Sequence, residues 1–548
     1  MMSKIAQYLN EHILGEVTSS KAVRQRFSRD ASILTITPEL VMFPRVTNDI
    51  RKAARFSWQL AEKGHVLPIT TRGGGSDQTG AAIGRGIIVN TTAHLNNVIH
   101  LGLKDKDRFV HVQPGVNFKS LNDILNWHGL YVPAYPESVA YSTVGGAVAN
   151  NSGGALSGRF GPIGDYVTRL EVVLANGDLI ETTRLNKRDF STKKGLQTFE
   201  GEIYRKLDGL IEDNQKLIND KLAGNERDNT GYGRLSQVKH RDGSFDLTPL
   251  FVGSQGTLGI ISEIVLKTEY VSNDQTIVVA VVDNDETAHD AADTLRSLEP
   301  TILETFDGEL FNTAKARGKK YPFFNITESD ATVGAIIYLQ FNDFGDRARA
   351  HKLKKALKVL GKYSASVVTS ADYAVDELSA IREVMSSTFV SESQAESYPP
   401  LIDGAHIPSD RYADFIAAVA ELAKKHHVKL PLRTRVLDSV VFARAALQLD
   451  KLADKQKMLK LINDYSQLVD KHNGIFVAES GEGRVKANAA YALLEDDVKQ
   501  LYEQVRLSFD PFGTLNPGVK QPTELKTLVE ALRSTYDLAD FAEYSPYS

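Results

Sequence analysis

Over the first half of the chain, short apolar runs bounded by turn residues alternate with stretches of helical spacing. Gly86-Ile87-Ile88-Val89-Asn90 and Arg108-Phe109-Val110-His111-Val112-Gln113 are rich in β-branched or aromatic residues and predict strands. Residues 118–128 place Leu121, Ile124, Leu125 and Trp127 on helical spacing, and Gly129 stops the helix. Residues 170–175 and 178–183 flank Asn176-Gly177, a pair that favours a type I′ hairpin turn. Residues 1–17 read as an amphipathic helix, and residues 202–219 as a helix among polar loops. The stretch from Leu250 to Glu263 reads as strand, tight glycine turn, strand.

The texture changes near residue 272. Strand, helix and strand follow at 276–282, 286–298 and 302–306, and again at 334–341, 347–360 and 364–369. This repeat predicts two halves of one α+β sheet. Residues 412–426 and 451–472 predict amphipathic helices, and Asp510 to Gly518 a rigid turn cluster. After Pro522 one helix and a polar tail are expected.

With 548 residues, two or three domains are expected. A hydrophobic content of 42% and a charged content of 24% describe a globular chain. A net charge of −5 argues against nucleic acid as the main partner. No apolar run is long enough to span a bilayer, and residues 1–17 lack a signal-peptide layout. The chain has no cysteine. That removes disulfides, thiolate metal sites, cysteine nucleophiles and cysteinyl-flavin links, and fits a cytoplasmic location; peripheral attachment at the inner face of the membrane stays open.

Candidate chemistry begins at Thr71-Arg72-Gly73-Gly74-Gly75-Ser76-Asp77-Gln78-Thr79-Gly80-Ala81. Such a loop can turn sharply and aim consecutive backbone N–H groups at a phosphate. Gly75 and Gly80 have Walker spacing, but Ala81-Ala82 stand where Lys and Ser/Thr belong. Gln78 likewise breaks a dinucleotide fingerprint begun at Gly73.

Three more segments come after it in order. They are Pro136-Glu137-Ser138 with Thr143-Val144-Gly145-Gly146-Ala147-Val148-Ala149-Asn150-Asn151-Ser152-Gly153-Gly154, then Gly253 to Gly259, then Gly513-Thr514-Leu515-Asn516-Pro517-Gly518. Together the four resemble the FAD-linked oxidases of the vanillyl-alcohol-oxidase superfamily, nearest the D-lactate, glycolate and D-2-hydroxyglutarate dehydrogenases. The resemblance implies an α+β fold: a two-subdomain PCMH-type FAD-binding domain and a ferredoxin-like cap with an antiparallel sheet. The expected bounds are 1–271 for the FAD domain, 272–473 for the cap, 474–522 returning to the FAD domain, and 523–548 for a terminal helix and tail. Non-covalent FAD is the implied cofactor. Arg72, Gly73, Gly74, Gly75, Ser76, Asp77, Gly80 and Ala81 would wrap its diphosphate. Pro136, Glu137, Ser138, Thr143, Gly145, Gly146, Asn150, Ser152 and Gly153 would line the adenosine and flavin side. Gly253, Gly256, Gly259, Ile260 and Ile261 would hold the adenine region, with Asn516 from the last segment. Gln255 stands where relatives often have Glu.

The implied reaction is dehydrogenation of a small 2-hydroxy acid by hydride transfer to flavin N5, with a quinone, a carrier protein or oxygen as electron acceptor. The resembled branch holds a metal with two His and a Glu, beside a basic His. Here Leu432-Arg433-Thr434-Arg435-Val436-Leu437-Asp438-Ser439-Val440 has no His, and Gly481-Glu482-Gly483 has glycine at the basic position. No metal is expected. Arg382 and Arg433 are the candidate carboxylate anchors, with Arg435 beside them. His406 is the candidate base, and Glu482 holds the position of the third metal ligand. Two alternatives remain: a non-redox FAD transferase resembling alkyl-dihydroxyacetone-phosphate synthase, and a degenerate FAD-binding protein.

Overall fold

A computed structural model describes residues 3–104, 108–225, 227–316, 318–325, 332–385 and 398–536. The N-terminal half carries two sheets. In the first, Glu16–Thr18, Leu40–Phe43, Ile87–Asn90 and Ile69–Arg72 lie in that order, the last three mutually parallel. Ile87, Ile88 and Val89 are fully buried, as a parallel strand covered on both faces requires. The helix Thr47–Ala61 covers this sheet through Ile50, Ala53 and Ala54. The second sheet is antiparallel, in the order Val98–Gly102, Phe109–Val112, Ile260–Lys267, Val167–Val173, Leu179–Thr182. Its core takes in the helices Phe118–Asn126, Val144–Asn150 and Phe199–Asp213.

The C-terminal half carries one antiparallel sheet of seven strands. Its order is Ser366–Thr369, Thr276–Val282, Ala335–Phe341, Ile302–Asp307, Leu432–Arg435, Val440–Ala443, Ala405–His406. The first four strands, with the helices Asp285–Arg296 and Asp346–Leu360, make the expected repeat, ferredoxin-like in order. The hairpin Leu432–Arg435 and Val440–Ala443 extends the sheet. Helices Tyr412–His426 and Leu452–Lys471 pack together beside it.

The chain then returns to the N-terminal half. Helix Asp496–Phe509 buries Leu501, Tyr502 and Val505 in the second core. Leu515 bridges Ile69 in parallel and lengthens the first sheet. Residues 537–548, most of the expected tail, lie outside the described residues, as do residues 1 and 2 of the expected first helix, which runs Lys4–His12.

Two local expectations are corrected. At Asn176-Gly177 only Gly177 has a positive φ, +84°. Its N–H bonds Leu174 O at 2.9 Å and Leu174 N–H bonds Asp178 O at 2.8 Å, so the turn is one residue longer than a type I′ hairpin. Leu250-Phe251, expected in a strand, close the short helix Thr248–Phe251, which Pro249 begins at a position needing no N–H. Among the described residues no helix is long and apolar enough to cross a membrane.

Candidate functional site

The strand Ile69–Arg72 ends in the glycine loop, and Asp77 shapes its second half. The Asp77 carboxylate accepts from Thr79 N at 2.9 Å, Ala81 N at 2.8 Å and Asn150 Nδ2 at 3.0 Å. These bonds turn the chain so that Gly74, Gly75, Ser76, Asp77 and Gln78 line a cavity of about 1070 Å³. Among the described residues, the backbone N–H groups of these positions donate to nothing in the protein. Unpaired amides in series make an anion cradle. Side chains are excluded there: a Cβ on Gly73 would lie 2.1 Å from Thr143 Oγ1, and one on Gly75, whose φ is +78°, 2.2 Å from an Arg72 nitrogen. Opposite, Thr143 caps the helix Val144–Asn150, accepting from Gly146 N at 3.1 Å. Pro136, Ser138, Gly145, Gly146, Asn150, Ser152, Gln255, Gly256, Gly259 and Ile261 continue the wall. The cradle and the narrow glycine walls fit a dinucleotide, and the volume exceeds the roughly 300–1,000 Å³ of an ordinary ligand pocket.

At its other end the cavity meets the cap, through Arg382, Asp403, Arg433, Phe442 and Arg444, with Glu479 and Ser480 of the returning segment beside them. Arg433 lies on the strand Leu432–Arg435 and reaches Glu137 at 2.7 Å and Glu304 at 2.8 Å. Arg382 forks onto Glu304 with two bonds of 2.9 Å. Burial, the largest single influence, would raise Glu137, but Arg433, with Arg382 and Arg435 adding to it, outweighs burial and holds the carboxyl down at about 2. Burial likewise opposes ionisation of Glu304, and Arg382 with Arg433 reverses it to a net lowering. Arg435 pairs with Asp438 at 2.8 Å and with Glu479 at 2.5 Å. Arg444 donates Nε to Asp403 at 2.9 Å, while its buried Nη1 has no partner among the described residues. Guanidinium groups carry no acceptor lone pair, so Arg433 and Arg435 cannot ligate a cation. The resembled metal centre does not fit these residues.

Several expected site residues stand behind the cavity wall. Arg72 supports the loop from beneath, bonding Arg29 O at 2.6 Å. Gly80 sits one layer deeper, its carbonyl taken by Arg484. Gly153 abuts the Glu479 carboxylate, which a Cβ would approach to 2.9 Å. Gly253 turns away and donates to Val148 O at 2.9 Å. Ile260 belongs to the core of the first sheet while Ile261 faces the cavity, because neighbours on a strand point oppositely. Asn516 is a clamp: its Nδ2 bonds Ala81 O at 2.9 Å and Gln255 O at 2.8 Å, tying the loop to the glycine turn.

Two catalytic expectations are also displaced. Glu482 is fully buried away from the cavity, paired with Lys520 at 2.7 Å and accepting from Gly231 N at 2.8 Å. Glu479, three residues earlier, holds the place on the wall. His406 ends the edge strand Ala405–His406 and is not among the lining residues; burial, and then Arg227, push its ring below the ordinary value. The sequence pattern does not announce Arg444, Glu304 or Glu479 as site residues. Only the proximity of Arg444 to the Arg433–Arg435 stretch could have pointed to one of them.

The family "FAD binding domain" matches residues 38–183, and "FAD linked oxidases, C-terminal domain" matches residues 271–519. The chain is 26% identical over 523 residues to the D-2-hydroxyglutarate dehydrogenase of Escherichia coli (strain K12), covering 93% of this chain and 51% of that one. It thus spans about half of that relative's length. It is 24% identical over 510 residues to the glycolate oxidase subunit GlcD of Bacillus subtilis (strain 168), covering 91% of this chain and 92% of that one. Among solved structures, alkyldihydroxyacetonephosphate synthase superposes with a TM-score of 0.61 at 15% identity, covering 94% of this chain and 86% of the other.

Proposed function

We propose that this chain, which belongs to the FAD-linked oxidases and has FAD as its cofactor, dehydrogenates a small 2-hydroxy acid. One observation carries the reading: a single cavity runs from an amide cradle for a diphosphate to a cluster of arginines at the cap. FAD, when bound, supplies the acceptor for the hydrogen and two electrons that leave the substrate carbon. Gly74 to Gln78 hold its diphosphate, and among the described residues no histidine or cysteine lines the cavity to make a covalent link. Arg444, with an unpaired N–H pair, and Arg382 anchor the substrate carboxylate. Arg433, whose Nη1 and Nη2 are both taken by Glu137 and Glu304, sets the shape of the cap wall rather than gripping the acid. Names of the relatives, a D-2-hydroxyglutarate dehydrogenase and a glycolate oxidase subunit, support an acid of this class.

The test is an anaerobic screen of the purified yellow protein against D-lactate, glycolate and D-2-hydroxyglutarate. Bleaching of the flavin by at least one acid is expected. A second reading, an FAD protein that performs no dehydrogenation, is favoured by the mutual neutralisation of the Arg382, Arg433, Glu137 and Glu304 charges. A flavin that bleaches with dithionite but with no acid on the panel would support it.

A further inference from the structure

We propose that Glu479 is the proton acceptor for the substrate hydroxyl in this site. The assignment rests on the 2-hydroxy acid reading and names the group which that reading lacks. Among the described residues no histidine, lysine or cysteine lines the cavity, so the base must be found among carboxylates and phenols. The lining carboxylates are Asp77, Glu137, Asp376, Glu383, Asp403 and Glu479. Asp77 is consumed by the loop it shapes. Glu137 is forked by Arg433, which suppresses its basicity. Asp376 and Glu383 are exposed on the outer rim. Asp403 is held by Arg444 Nε and by Ala443 N, and its side chain is 9% open. Of the phenols, Tyr135 is pushed up by burial and Tyr141 lies 38% exposed.

Glu479 differs from all of these. Its side chain is 17% open. Oε1 accepts from Gly154 N at 2.9 Å and Oε2 from Arg435 at 2.5 Å. An ionised carboxylate has about four acceptor positions, so each oxygen keeps one for a hydroxyl. The two bonds fix the group in place, and Arg435 is in turn pinned by Asp438. Burial raises the Glu479 carboxyl; Arg435 opposes this, and Glu137 and Asp438 add to it. Lys486 also feels its charge. A carboxyl lifted above its ordinary range is a better base near neutral pH.

The step balances without a metal. The hydroxyl proton passes to a Glu479 oxygen, and bound FAD would supply the acceptor for the hydride that leaves C2. The C–O single bond becomes C=O, the acid loses two electrons and two hydrogens, and Glu479 later returns its proton to water.

The experiment compares wild type with Glu479→Gln and Glu479→Asp as FAD-loaded proteins. Three quantities are measured: FAD content, oxalate affinity by calorimetry, and anaerobic flavin reduction by the acid that bleaches wild type. For Glu479→Gln, FAD content and oxalate affinity should stay within about threefold, while reduction falls at least about 100-fold, the lower end of general-base effects. Its rate should also lose the rise with pH that wild type shows as Glu479 ionises. Should Glu479→Gln fail to load FAD, Glu479→Asp, which keeps the charge, carries the test with a reduction loss of about tenfold or more at unchanged oxalate affinity. Reduction by Glu479→Gln within about threefold of wild type, or losses of FAD and oxalate affinity that match the loss of rate, would overturn the assignment. Wild type that no acid reduces withdraws the functional reading and this assignment together; wild type and variant reduced alike withdraw the assignment alone.

Discussion

Arg433 is placed where its loss should be felt most. Its side chain is 4% exposed and that of Glu304 is 1% exposed, so their pair lies out of water. Removing one partner of a buried pair costs about 3–5 kcal/mol, because the other charge stays behind. Arg433→Met leaves Glu304 with Arg382, and among the described residues leaves Glu137 with Arg382, 4.0 Å away, as its ion-pair partner. Urea unfolding of the variant should show a loss in that range. The pH dependence has a definite sign. Glu137 and Glu304 are held below the ordinary carboxyl value, so the unfolded chain binds their protons first. Their contribution is complete above about pH 4.3, the usual glutamate pKa. It fades as pH falls toward about 2, where Glu137 titrates in the fold. In Arg433→Met that part of the acid dependence should flatten. The Glu482–Lys520 pair makes a second prediction. Both side chains are 0% exposed and neither lines the cavity. Lys520→Met should lower stability by about 3–5 kcal/mol, while the fraction that keeps FAD should be reduced by substrate at the wild-type rate. A slowed reduction in that fraction would return Glu482 to the chemistry.

The glycine loop is an element whose backbone is its function, so the sharpest test there is a single methyl group. Gly75→Ala must hold φ near +78° and place Cβ against Arg72. Backbone strain of this kind costs about 1–3 kcal/mol, and relief would move the amides that face the cavity. The purified variant should contain less FAD than wild type, read as the ratio of flavin to protein absorbance. This loop was legible in the sequence because its glycines are contiguous and need no distant partner. The cap repeat and the helices Tyr412–His426 and Leu452–Lys471 were legible too, since their apolar faces keep a regular period. The hairpin from Leu432 to Ala443 was not. Its inward positions hold Arg433 and Arg435, which a hydrophobic pattern counts as solvent-facing. The acids that make the burial of Arg433 tolerable lie 129 and 296 residues away in sequence, at Glu304 and Glu137, and one of the two that hold Arg435, Glu479, lies 44 residues away. Glu479 and Glu482 sit three apart in a glycine-rich turn, and no local signal says which of them faces the cavity. Only the bonds to Arg435 on one side and Lys520 on the other separate them.

Across the whole molecule, the cavity is built by both halves of the chain. The amide cradle follows the strand Ile69–Arg72, the arginine cluster comes from the strand Leu432–Arg435, the short helix Ala380–Glu383 and the residue after the strand Val440–Ala443, and Glu479 from the returning segment. Protein bonds already cross this boundary, at Glu137 with Arg433 and at Gly154 with Glu479. A dinucleotide lying between the walls binds only when all of them are assembled, so its binding energy adds to folding. At a free concentration one hundred times its Kd, FAD should stabilise the native chain by about 2.7 kcal/mol. Unfolding entropy is about 2.1 cal/mol/K per residue, so for a chain of 548 residues a shift of about 2 °C between apoprotein and FAD-saturated protein should appear in scanning calorimetry. The shift should grow with the logarithm of FAD concentration and shrink in Gly75→Ala. A chelator should leave it, and the rate of flavin reduction, unchanged, because guanidinium groups fill the places where a metal would need donors. An unfolding transition indifferent to FAD would mean that the two walls do not close on a common ligand. In that case the cradle and the arginine cluster would have to be assigned to separate functions.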